Sequence, residues 1–314
     1  MNELKNERPL NKILLADDNE RKIIPVEGTR WGELIVPAKH ENPGKTNKGL
    51  KVLAVASFDY GYVMFETLKE CEKQYPNRLN IVGLVTDDPA NPDAKISMKR
   101  RIWRMFDDED KMEEEKMMVE SALSFGVPCY TGEIKIDYFN KLLAEWNPDA
   151  IIVFVFGQFF NKEIINYPQL GIYNFHPADL ANHYGAGPRP FEDMIARKAE
   201  TSNLTIHQIS EEVDAGHIVG QSPPVNIRLK NGELTDKVLV LEDKLMEPVE
   251  KMSAILISEL IRKKNAGKSG KIDNIDFDKF FSEKVKGELM KPIQSKIHKI
   301  KLPVLSEDPG FFKK

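Results

Sequence analysis

AIIVFVFGQFFNKEIINYPQLGIYNFHP, residues 150–177, holds the fold in miniature. Ala150 to Phe156 is the most hydrophobic run in the chain. It offers no polar alternation, as expected of a parallel strand covered on both faces. Lys162 to Asn166 fits a short helix. Gly171 to His176 reads as a second strand that ends in polar groups. Strand, helix, strand in this order is a βαβ unit with a right-handed crossover.

Outward from this unit the pattern repeats. Lys51 to Ala56 is another buried-strand run, Tyr62 to Cys71 carries apolar side chains at helical spacing, and Asn80 to Val85 is the next strand. Met117 to Phe125 predicts a short helix and Val127 to Tyr130 a strand. Asp137 to Trp146 places Phe139, Leu142, Leu143 and Trp146 on one helical face. The alternation predicts an α/β fold with a doubly wound, mostly parallel, Rossmann-like sheet. Pro190 to Lys198 reads as a helix. Leu204 to Ile209 and His217 to Gln221 read as paired strands, and Thr235 to Ile261 as one long amphipathic helix.

Three regions follow: an N-terminal arm over 1–49, a catalytic domain over 50–260 and a basic C-terminal extension over 261–314. The arm carries a strand or hairpin arm at Gly32 to Val36 and a linker turn at Asn42 to Lys45. Residues 87–120 form an excursion with a turn-rich start, a basic run at Lys99 to Arg104 and an acidic run from Asp107 to Glu115. It reads as a solvated loop and helix, with a substrate-facing flap as the alternative. Residues 262–314 hold 14 Lys and Arg against 7 Asp and Glu, which reads as a solvated end, with contact to a phosphate-bearing partner as the alternative.

Composition narrows the function classes. The 314 residues are 41% hydrophobic and 30% charged, enough for a packed core. A formal charge of −4 argues against a globally basic nucleic-acid binder. Cys71 and Cys129 are too few for a disulfide framework or a cysteine zinc site, so a reducing compartment is expected. No apolar run has the length of a membrane-spanning helix, and MNELKNERPL lacks the apolar stretch of a secretion signal. The expectation is a soluble cytoplasmic protein.

Ligands of open α/β sheets bind outside the carboxyl ends of the strands. Asn174 and His176 stand at i and i+2 near such an end, so they share a face. Gly185, Gly187 and Pro188 punctuate the loop that follows. Asp214 lies in the turn-like run Glu211 to Gly216 and would have to fold back to meet His176. An imidazole, a carboxylate to orient it and an amide to polarise a carbonyl form an acyl-transfer constellation. No G-x-S-x-G nucleophile pattern occurs, so the acyl group would pass directly between bound substrates. His176, Asp179, His183, His207, Asp214 and His217 lack tight metal-ligand spacing, and no metal is expected. Ala56 to Tyr62 is not a G-x-G-x-x-G loop, and no Walker sequence is present.

At these residues the chain resembles a known family. Gly157-Gln158, the run Pro168 to Pro177, Leu204 to His207 and Val213 to Val219 are similar to the core of the 10-formyltetrahydrofolate-dependent formyltransferases. These include the methionyl-tRNA, glycinamide ribonucleotide and sugar-nucleotide enzymes. The likeness spans roughly residues 50–255. It implies 10-formyltetrahydrofolate as donor co-substrate, with Asn174 polarising the formyl oxygen and His176 as general acid/base. It also implies that Asp214 pairs with His176, raising its pKa so that imidazolium persists near neutral pH. Phe156, Gly157, Gln158, Phe159 and Phe160, with Glu211, Glu212 and Val213, match segments that enclose the folate's pterin ring. Ala178 to Ala181 replaces the family's Ser-Leu-Leu-Pro. Tyr184 stands before Gly185, where members acting on tRNA or sugars usually carry a basic residue. Residues after 261 do not read as the five-stranded barrel of the methionyl-tRNA enzymes. The expected acceptor is therefore a small primary amine, such as an amino sugar, ahead of methionyl-tRNA. A formyltetrahydrofolate hydrolase would use the same three residues. A homo-oligomer is compatible with this reading, and a membrane partner is not.

Overall fold

The structure is a computed structural model, and it describes residues 19–29, 31–41, 45–87, 108–235 and 238–282. The basic run at 99–104, most of the linker turn at 42–45 and the extension after 282 lie outside these residues.

The described residues begin with strands β1 (Lys22–Pro25) and β2 (Glu33–Val36), then β3 (Leu50–Ala56), helix α1 (Phe58–Gln74) and β4 (Leu79–Val85). Helix α2 (Asp108–Ser124), β5 (Cys129–Tyr130), α3 (Asp137–Trp146), β6 (Ala150–Phe154), α4 (Lys162–Ile165) and β7 (Ile172–His176) follow. Then come α5 (Pro190–Ala196), β8 (Thr201–Ser202), β9 (Thr205–Gln208), β10 (Ile218–Gln221) and β11 (Val225–Asn226). The helices α6 (Val238–Met246), α7 (Val249–Asn265) and α8 (Phe277–Ser282) end the described chain. Nine strands join one sheet in the order β1-β2-β5-β4-β3-β6-β7-β9-β10, while β8 and β11 pair separately. The run β5-β4-β3-β6-β7 is parallel. Antiparallel strands flank it on both sides. This is the α/β, mostly parallel, Rossmann-like arrangement that the apolar runs predict.

Side-chain alternation explains why the runs are continuous. In β3, Val52, Ala54 and Ala56 enter one core, with α1, α6 and α7. Leu53 and Val55 enter a second core on the opposite face, with α3. In α3, Phe139, Leu142, Leu143 and Trp146 are all buried, and the helix ends on Asn147 in the left-handed region at φ 43°.

Four expectations need correction. Residues 22–36 are not a separate arm. They form a hairpin whose second strand pairs with β5, and Val26, Leu34 and Val36 enter the second core. The acidic run does not precede a short helix but lies inside α2, which starts at Asp108. The long helix over 235–261 is two helices, because Pro248 lacks an N–H and its ring crowds the preceding turn, yet it can open α7. The extension is not wholly a solvated end, although residues 266–270 are exposed. Ile272, Ile275 and Phe277 are buried, and Ile275 N donates to Val219 O at 2.7 Å along β10.

Candidate active site

The carboxyl ends of β6 and β7 open onto a cavity of about 710 Å³. Register builds its centre. Asn174 and His176 alternate with buried Tyr173 and Phe175, so both face the cavity. The antiparallel pairing of β7 with β9 sets Asn174 beside His207, and Asn174 Nδ2 lies 3.0 Å from His207 Nε2. The loop after β9 swings back and brings Asp214 between the two rings. Asp214 Oδ2 is 3.6 Å from His176 Nδ1, and its Oδ1 is 3.4 Å from His207 Nε2. The turn stands at φ 50° at Asp214, a conformation that Asp tolerates better than most residues. Gly216 allows the return. A Cβ there would overlap the carbonyl oxygen of Gln208.

The hydrogen bonds fix directions. His176 Nε2 is 2.7 Å from the Gly185 carbonyl, which only accepts, so Nε2 carries the proton. A neutral His176 therefore leaves Nδ1 unprotonated and facing Asp214. His207 Nδ1 likewise donates to Gln208 O at 3.0 Å. A neutral His207 then accepts from one Asn174 N–H, and the amide keeps a second N–H to donate. Gly187 N donates to Asp214 Oδ2 at 2.8 Å.

The electrostatics overturn one expectation. His176 is only 7% exposed. Burial pushes its pKa below the ordinary 6.5. The Asp214 charge and the Gly185 carbonyl oppose this and do not overcome it, and His207 adds to the lowering. His176 rests as a neutral imidazole, not as the imidazolium. Burial also disfavours ionisation of Asp214. The His207 contact, the His176 and His207 charges and the Gly187 N–H outweigh it and hold this carboxyl down at about 2.

All but one of the residues expected to enclose a ring line the cavity: Phe156, Gln158, Phe159 and Phe160 on one side, Glu211, Glu212 and Val213 on the other. Phe156 and Phe160 form a tilted pair with centroids 5.9 Å apart. Phe159 and Val213 are exposed. Gly157 is the exception. It is buried and absent from the wall, and its N–H donates to Asp87 Oδ2 at 2.6 Å. Beyond the central groups the cavity continues past Tyr60, Phe191, Glu192 and the buried Glu242. Tyr60 donates its hydroxyl to the Glu242 carbonyl, tying α1 to α6. No Lys or Arg lines the cavity among the described residues. No group of three or more metal-ligating side chains forms among them either. Both cysteines are buried and free, and no described helix is long and apolar enough to cross a membrane.

Sequence reasoning missed two contributors. His207 is noticed in the sequence only as part of a strand and of the scattered His and Asp set. Its place depends on the β7–β9 register, which no local pattern specifies. Asp87 carries only a turn signal.

An amide, two imidazoles and a carboxylate converge at the carboxyl edge of the α/β sheet, a set that can donate hydrogen bonds and move a proton. Residues 53–249 match the family model described as formyl transferase, and the chain belongs to that family. It is 31% identical over 120 residues to a methionyl-tRNA formyltransferase of Thermotoga sp., covering 38% of this chain and 36% of the relative. Against the Borreliella afzelii methionyl-tRNA formyltransferase the identity is 24% over 239 residues, covering 74% of this chain and 64% of the relative. The chain thus spans between about a third and two thirds of the length of these relatives. Among solved structures it is similar to phosphoribosylglycinamide formyltransferase from Anaplasma phagocytophilum. The TM-score is 0.49 at 18% identity, over 68% of this chain and 88% of that one.

Proposed function

We propose that this chain transfers the formyl group of 10-formyltetrahydrofolate to a primary amine on a small acceptor. The observation that carries the reading is the convergence of Asn174, His176, His207 and Asp214 in one cavity, which is lined also by Phe156, Phe159 and Phe160 and by glutamates. The wall of Phe156, Phe159 and Phe160 suits a planar pterin. A lining that holds Glu192 and Glu242 and, among the described residues, no Lys or Arg suits an amine or a hydroxyl-rich body better than a phosphate, which favours an amino sugar or similar metabolite over tRNA.

In the proposed reaction the acceptor amine attacks the formyl carbon and negative charge develops on the formyl oxygen. Asn174 donates its remaining N–H to that oxygen. His176 Nε2–H does the same once the oxygen takes the place of the Gly185 carbonyl. Each such donor is worth roughly 10²–10³ in rate. The unprotonated His176 Nδ1 accepts the proton lost by the amine, and Asp214 stabilises the imidazolium as it forms. His176 then returns a proton to the departing folate nitrogen. His207 holds the Asn174 amide.

The test offers 10-formyltetrahydrofolate with a panel of primary amines that includes amino sugars, and follows tetrahydrofolate release together with the mass of the formylated product. Amine-dependent release and a product carrying the formyl group are expected. Equal formate release with and without amine would instead assign a hydrolase. Transfer to methionyl-tRNA alone, weakening steeply with salt as counterion release requires, would move the acceptor to nucleic acid.

A further inference from the structure

Val155 and Phe58 stand directly after β6 and before the body of α1, at φ 51° and φ 63°. A β-branched or bulky residue in this region is a true outlier, and it persists only where its surroundings over-determine it. Both outliers flank one polar network at the carboxyl ends of β3, β4 and β6. Its hub is Asp87, which is 1% exposed. Asp87 Oδ2 accepts from Gly157 N at 2.6 Å, and Oδ1 accepts from Gln158 Nε2 at 3.3 Å. Asp87 N donates to Ser57 Oγ at 2.9 Å, and Ser57 Oγ lies 3.1 Å from Thr86 Oγ1. Gln158 is then locked at both ends. Its Nε2 donates to Gly132 O at 3.1 Å, and its Oε1 accepts from Ile134 N at 3.1 Å.

We infer that Asp87 is a positioning residue for the formyl donor. It clamps the strained turn 155–158 so that Phe156 and Gln158 keep their places in the wall. The inference rests on the folate-dependent reading above and goes beyond it, because Asp87 itself is not part of the cavity wall. A carboxylate suits the task. Two N–H groups from adjoining residues converge on it, and hydrogen bonds to a charged acceptor are stronger than neutral ones. An amide at position 87 would turn an N–H toward one of those donors.

The test measures binding of 5-formyltetrahydrofolate, which keeps the ring system without the transferable group, by calorimetry. Donor KM and kcat are measured with 10-formyltetrahydrofolate. Asp87→Asn should raise the ligand Kd and the donor KM by about 10- to 100-fold, the range expected for lost hydrogen bonds to a charged group. It should leave kcat at saturating donor within about threefold. Val155→Gly in the Asp87→Asn background should recover much of the affinity, because glycine takes a positive φ without strain and no longer needs the clamp. A thermal melt on each variant reports folding, and the rescue pair keeps the inference testable where Asp87→Asn lowers stability. Unchanged donor affinity in a folded Asp87→Asn protein overturns the positioning role, as does a loss in kcat alone or a double variant with no recovery. A wild-type chain that binds neither folate overturns the folate reading itself, and the inference with it.

Discussion

Replacing Asp214 with Asn separates charge from shape at the centre of the site. The side chain keeps its size, the amide oxygen can take the place of Oδ2 as acceptor from Gly187 N, and Asn tolerates the φ of 50° at this position. What disappears is the negative charge facing His176 Nδ1 at 3.6 Å. In the proposed mechanism that charge acts mainly when the imidazole takes a proton. At an effective dielectric of about 20, a unit charge pair at this separation is worth roughly 4–5 kcal/mol. An upper figure for the loss is therefore on the order of 10³-fold in rate. The loss should fall on kcat, because Asp214 stabilises an imidazolium absent from the ground state. The assay is single-turnover tetrahydrofolate release at saturating donor and acceptor, with a thermal melt to confirm an intact fold. Asp214→Asn turning over within about threefold of wild type would refute the charge argument. A rise in donor KM with kcat unchanged would reassign Asp214 to binding.

Other perturbations probe the same network and the core beneath it. His176→Ala should nearly abolish turnover while leaving the melt near wild type; a fully active variant removes the residue from the chemistry. The depressed pKa of His176 places the acid limb of the rate profile below 6.5, because the neutral ring is the working form. Stability should decline in the same direction, since the unfolded chain binds a proton below 6.5 that the fold resists. A limb above 6.5 contradicts this. The Asp214 carboxyl titrates at about 2 in the fold against an ordinary 3.8, so its stabilisation is present above 3.8 and is lost as pH falls through 2. Melts of Asp214→Asn and wild type should converge there. Gly83→Ala puts a methyl 2.8 Å from the Trp146 ring, and overpacking of this kind costs about 1–3 kcal/mol. Denaturant titration with an unchanged midpoint would show that the ring yields freely.

The parallel core is legible because each strand is a short, continuous apolar run. Lys51 to Ala56 and Ala150 to Phe156 are found within a residue or two as Leu50–Ala56 and Ala150–Phe154. Asn174 and His176 are legible from the two-residue period alone. The fold of the 235–261 stretch is misread because its apolar spacing runs across Pro248 and hides a break that the proline itself announces. His207 is illegible because cross-strand register is a tertiary quantity. The protonation of His176 is illegible for a related reason. A sequence shows the Asp214 charge that raises its pKa, but not the burial that lowers it further.

These points meet in the way the site is saturated. His176 Nε2 is engaged by Gly185 O, one Asn174 N–H faces His207, and Asp214 is held by Gly187 N. Burying such groups without partners would cost far more than leaving them solvated. In the proposed reaction, buried groups of this kind need internal partners that a substrate can replace. Gly185 O would be one such partner in that proposal, because it accepts the same His176 N–H that the proposed mechanism gives to the formyl oxygen. Donor binding then becomes an exchange of one acceptor for another, nearly neutral in the ground state. The gain appears only as charge builds on the entering oxygen, where the N–H bond strengthens and a neutral carbonyl could not compete. The neutral His176 fits this scheme better than a standing imidazolium would. A permanently charged ring beside Asp214 would satisfy the carboxylate before any chemistry had begun, and would leave Nδ1 with no capacity to take the proton of the amine.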